Sequence, residues 1–95
     1  MEPLFKKKQV FMTALYLEYE RFMFALAGRY ASNPFEQEEI VQSALVQLWQ
    51  KVDTLQQMEP RAVASYIAVT IRNTAINYRR KHGKEALRQI SLDDA

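Results

Sequence analysis

Ninety-five residues, 48% hydrophobic and 12% aromatic with a formal net charge of +2, make one domain's worth of chain and are too apolar to stay disordered. Zero cysteines exclude disulfides and thiolate metal sites and fit a reducing, cytoplasmic setting; no apolar run approaches the ~18 residues of a membrane span. Two glycines and three prolines leave few turn signals, so long helices follow.

The first residues show no signal-peptide pattern, because Lys6, Lys7 and Lys8 are followed by no clean apolar run. Helix one is expected from between Leu4 and Lys8 to about Ala31. Phe11, Leu15, Phe22 and Leu26, with Ala14, Tyr19, Met23, Ala27 and Tyr30, recur there at three- and four-residue steps. Asn33-Pro34-Phe35-Glu36 reads as a helix start, with Asn33 as N-cap, Pro34 in the first position and Glu36 completing a box-like pair. Helix two should reach about Val52, and Asp53 to Glu59 should be a loop. Pro60 opens a third helix running to His82, about 33 Å long at 1.5 Å per residue, with Gly83 as a left-handed cap. A short basic helix over 84–90 and the start of a linker at 91–95 complete the reading. The expected class is all-α: one compact bundle of three main helices plus a short C-terminal one.

The small net charge hides a division. Residues 35–60 hold one cation, Lys51, against Glu36, Glu38, Glu39, Asp53 and Glu59, a net of −4. Residues 61–90 hold seven cations, Arg61, Arg72, Arg79, Arg80, Lys81, Lys84 and Arg88, against Glu85 alone, a net of +6. Neighbouring segments of opposite sign point to two surfaces with different partners.

On a helical wheel, Ile40, Val41, Ala44, Leu45, Leu48 and Val52 form the core arc of helix two, with Trp49 at its edge. Glu39, Gln42, Ser43, Val46 and Gln50 form the opposite arc. It is polar, nearly uncharged and centred on a valine, a composition suited to docking another protein. Helix three turns Val63, Ile67, Thr70, Ile71, Thr74 and Tyr78 inward. Arg61, Arg72 and Arg79 share another side, with Ser65, Ala68 and Ala75 between them, followed around the cylinder by Arg80 and by Asn73 and Asn77. Arginine and lysine suit phosphates, and asparagine amides can address base edges. Cations also favour a helix C-terminus, which accounts for Arg79, Arg80 and Lys81 but not for Arg61 and Arg72. Nucleic acid is therefore the better partner for this side.

No catalytic constellation is present. His82, the sole histidine, sits at a helix end in a capping position; there is no glycine-rich phosphate loop, and the carboxylates lack metal-ligand spacing. The chain reads as a non-enzyme that needs no cofactor.

Four segments in order carry a resemblance. "LYLEYERFMFALAGRYASNP", "EEIVQSALVQLWQKVDTL", "YIAVTIRNTAINYRRKHGKE" and "ISLDD" resemble regions 2.1, 2.2 and 2.3–2.4 and the start of the interdomain linker of the sigma-70 family of RNA polymerase sigma factors, most nearly the ECF (extracytoplasmic function) type. The resemblance covers residues 15–95. It implies that the chain binds core RNA polymerase, through the β′ clamp helices, with Glu39, Gln42, Ser43, Val46 and Gln50. It implies recognition and opening of the promoter −10 element, with Arg72, Asn73, Asn77, Arg79, Arg80 and Lys81 on the non-template strand, to which the arginine side of the helix adds Arg61. The segment Asp53, Thr54, Leu55, Gln56, Gln57 and Met58 stands where ECF sigma factors capture a flipped base. An anti-sigma factor is a further partner that the resemblance allows. Ser43 departs from the glutamate usual in the family, and Val69 and Thr70 replace the paired tryptophans of primary sigma factors. Two other readings start from the same residues: a generic helical DNA-binding regulator, and a helical protein-interaction domain.

Overall fold

The computed structural model describes the backbone of residues 2–94 and the side-chain surroundings of residues 5–82. Four helices follow in chain order: α1 (Glu2–Gly28), α2 (Pro34–Gln50), α3 (Val52–Gln56) and α4 (Pro60–Asp94). Among the described residues there is no strand. The molecule measures 59 × 28 × 19 Å, its long dimension reflecting the 35-residue α4.

The start of α2 forms as its sequence dictates. Asn33 is extended (φ −158°, ψ 168°), and its side-chain oxygen accepts the Glu36 backbone N–H at 2.9 Å. Glu36 reaches back, but to the N–H of Ser32 (2.8 Å) rather than to the cap residue itself. Two backbone donors outside the helical ladder are thereby satisfied.

One core joins the helices. Met12, Leu15, Met23 and Ala27 of α1 meet Ile40, Val41, Ala44 and Leu48 of α2, Val52 and Leu55 of α3, and Val63, Ile67, Ile71 and Ala75 of α4. Each large aliphatic side chain buried there contributes about 1.5–3 kcal/mol relative to exposure. The expected inward arc of α2 is buried, apart from half-buried Leu45 and the more exposed Trp49. The arc of α1 is narrower than its periodicity suggests: Ala14 is exposed, Phe22 is 38% exposed, and Met12 takes a core position.

Several boundaries differ from expectation, α1 among them, which starts at Glu2 and ends at Gly28 rather than near Ala31. Helix two ends at Gln50, and the expected loop begins with a helical turn, α3, because Val52 and Leu55 three residues apart both find the core. The backbone passes through Gly83 without a positive φ, so no left-handed cap forms and α4 continues. Ala86, Leu87, Arg88 and Gln89 follow as good helix formers, against a penalty of about 1 kcal/mol for one helical glycine. The backbone expected to begin a linker is therefore helical through Asp94, while Ala95 lies outside the described residues.

Candidate nucleic-acid and protein interfaces

The outward arc of α2 stands where the wheel puts it. Gln42, Ser43, Val46 and Gln50 are exposed, Val46 by 59%, and Glu39 is half-buried. Trp49 extends this surface. It is 37% exposed and stacks on Phe5 of α1, with ring centroids 6.4 Å apart and planes at 23°. A groove of about 340 Å³ between α1 and α2 adjoins it, lined by Gln9, Met12, Thr13, Tyr16, Leu45 and Trp49.

Arg61, Arg72, Asn73, Asn77, Arg79, Arg80 and Lys81 are all exposed. Among the described residues none of these cations is paired with a carboxylate. They do not form one flat stripe. The Arg79 guanidinium donates to the Tyr30 carbonyl at the end of α1, so the side carrying Arg61, Arg72 and Arg79 borders α1. Ala75, expected as a small surface residue between these arginines, is fully buried for the same reason. Asn77 and Lys81 face the other way. With His82 they line a groove of about 340 Å³ against Glu39, Ser43 and Gln47 of α2. Between the two flanks, Val69 (55% exposed) marks the outermost side of α4 together with Asn73 and Arg80.

The groove between α2 and α4 has its own chemistry. Gln47 donates its side-chain N–H to the Thr74 hydroxyl oxygen at 2.8 Å, closing its floor. Tyr78 lies against His82, with ring centroids 4.2 Å apart. Burial pushes the Tyr78 hydroxyl above its ordinary pKa, and negative Glu36 and Glu39 push the same way, so it is a neutral hydroxyl near neutral pH.

The segment expected to capture a base divides in two. Leu55 is fully buried and belongs to the core, which removes it from that role, and half-buried Met58 packs against the same core. Thr54, Gln56 and Gln57 are exposed. Asp53 is exposed but engaged, its carboxylate 3.1 Å from the ammonium of Lys8. Beneath the turn, a hollow of about 240 Å³ is lined by Phe11, Leu15, Tyr19, Met58 and Val63 with Glu18 and Gln56. The roles of Lys8 and Tyr30 as partners were not legible in the sequence. Residues 45 and 49 positions apart carry no periodic signal of their meeting.

No curated protein and no solved structure matches the chain. A family model, sigma-70 region 2, matches residues 15–85, most of the chain and all of the surfaces just described except the N-terminal turns of α1. The all-helical architecture agrees with that match, and the family is one of non-enzymatic transcription-initiation domains serving RNA polymerase binding and promoter recognition. With the match spanning 71 of its 95 residues, this chain belongs to the sigma-70 region 2 family.

Proposed function

We propose that the domain docks on the β′ clamp helices of core RNA polymerase through Gln42, Ser43, Val46 and Gln50 of α2, with Glu39 at the edge of the contact. We propose also that it holds the opened non-template strand of the promoter −10 element on α4. Arg61, Arg72, Arg80 and Lys81 meet phosphates, and Asn73 and Asn77 meet base edges. Thr54, Gln56 and Gln57, the exposed residues around α3, are left to receive an unstacked base, with Asp53 and Met58 framing them. Extruding a base costs about a few kcal/mol, which hydrogen bonds and stacking offset. The absence of paired tryptophans at Val69 and Thr70 supports an alternative sigma factor of ECF type, working in the cytoplasm with polymerase and DNA.

The observation that carries this reading is the exposure of the seven cationic and amide residues of α4, none of its cations neutralised by a carboxylate among the described residues. A helix that merely completed a bundle has no need of them. The test measures binding of the domain to isolated β′ clamp helices and to a single-stranded −10-like oligonucleotide. Val46→Asp and Gln42→Ala should weaken the first interaction and leave the second intact. Clamp binding indifferent to both substitutions would count against the docking face. Preference for duplex over the single strand would favour a generic DNA-binding regulator, and salt-independent binding would favour a protein-interaction domain.

A further inference from the structure

The last carbonyls of a helix have no partners within it, and the helix dipole leaves a partial negative charge there. Such an end repels phosphate. Around the end of α1 two side chains donate to backbone oxygens: Gln37 of α2 to the Phe24 carbonyl at 2.6 Å, within the helix, and Arg79 of α4 to the Tyr30 carbonyl, two residues past it. The second bond brings a guanidinium against the residue that follows Arg29.

Arg29 is exposed and follows α1 by one residue, its backbone N–H donating to the Leu26 carbonyl at 3.1 Å; spaced three residues from Leu26 and seven from Phe22, it falls in their helical register. Leu26 packs against the core. Tyr19, on the same flank, lines the hollow shared with Pro60 and Val63 of α4. Arg29 thus emerges along the seam between α1 and α4. Arg72 stands on the α4 side of that seam, seven residues or about 10.5 Å before Arg79. All three arginines are exposed, and among the described residues no carboxylate pairs with them.

We propose that backbone phosphates of a nucleic-acid strand are gripped across this seam, by Arg29 of α1 together with Arg72 of α4. Arg79 is a positioning residue that fixes the α1 turn through the Tyr30 carbonyl and removes a repelling oxygen from the phosphate path. A guanidinium has five N–H donors, so the bond to Tyr30 does not exhaust Arg79. The proposal rests on the nucleic-acid reading above and adds α1 to a surface assigned there to α4 and the α3 turn.

The experiment titrates a fluorescent single-stranded −10-like oligonucleotide with the full 95-residue chain over a salt series. Arg29→Gln and Arg72→Gln should each lower the slope of log affinity against log salt by about 0.7, the release expected for one single-strand phosphate. Arg29→Lys should keep the slope. Arg21→Gln, on an exposed part of α1 away from the seam, should match wild type. Arg29→Gln should cost little more in an Arg79→Gln background than Arg79→Gln alone, whereas Arg72→Gln should add its full effect there. Should Arg79→Gln fail to fold, Arg79→Lys takes its place in the cycle. A wild-type slope in Arg29→Gln beside a reduced slope in Arg72→Gln would overturn this proposal and leave the parent reading standing. A flat wild-type response would overturn both.

Discussion

Gln47 and Thr74 join α2 to α4 through one hydrogen bond of 2.8 Å, made at the one polar residue buried in the core of the described residues. Thr74 is 5% exposed, so its hydroxyl has little access to solvent. Thr74→Val keeps the volume and removes the acceptor. It should destabilise the fold by about 1 kcal/mol, lowering the melting temperature by about 4–8 °C in a domain this size. Gln47→Ala should produce less, and the double variant should show coupling in urea unfolding, because each side chain is the other's partner.

Leu55 separates a core role from a binding role. Leu55→Ala should cost about 2–5 kcal/mol, a large part of the stability of a domain of this size, seen as a collapse of the urea midpoint. Gln56→Ala and Gln57→Ala should stay within about 0.5 kcal/mol of wild type, as exposed positions do. If they capture a base, their loss should appear in oligonucleotide affinity alone.

Gly28 sits where α1 passes α2. A Cβ added there would stand 3.0 Å from the side-chain nitrogen of Gln37, the group that covers the Phe24 carbonyl. Alanine in a helix is favoured over glycine by about 1 kcal/mol. Gly28 is the last residue of α1, so Gly28→Ala should stabilise a Gln37→Ala chain by at most that amount and do distinctly less in the wild-type background. Equal gains in both, measured by chemical unfolding, would mean that Gln37 yields freely.

Two tyrosines set the alkaline limit. Burial raises the Tyr16 pKa first, its hydrogen bond to Glu20 (3.1 Å) and the charge of Glu20 add to it, and Glu38 adds more; Tyr78 is raised by burial and by Glu36 and Glu39. A raised folded pKa means that the native state holds its proton longer than the unfolded chain. The associated stability is complete below about pH 10 and is lost as pH climbs through the folded values. Tyr16→Phe and Tyr78→Phe should each flatten the fall of the urea midpoint above about pH 10 and leave its behaviour near neutrality unchanged.

The Asn33 cap offers a last check at the turn beside Arg29. Asn33→Ala should cost about 0.5–2 kcal/mol and Asn33→Asp should be tolerated, since a carboxylate accepts the same Glu36 N–H near a favourable dipole. Thermal unfolding of both variants decides it.

Much of this was legible in the sequence because it is local. The Asn33-Pro34 start, the inward arc of α2 and the outward Val46 stripe follow from neighbours three and four residues apart. What escaped is what only the packed molecule decides. Leu55 looks like part of a polar loop until the core draws it in and winds α3 around it. Ala75 looks like a spacer between arginines until α1 lies beside it, and Arg79 like a free cation until Tyr30 is brought within reach. Gly83 shows the reverse case: a strong local stop signal that the surrounding helix formers override.

The groove that separates α2 from α4 has walls with double membership. Glu39 and Ser43 belong to the outward arc of α2, yet they also confront Asn77 and Lys81 across that trough. Under the proposed reading, a protein lodged over Ser43 and a polynucleotide laid along Lys81 would therefore be adjacent tenants with a common boundary. Whatever the first does to the hold on the second, thermodynamic reciprocity obliges the second to return in equal measure.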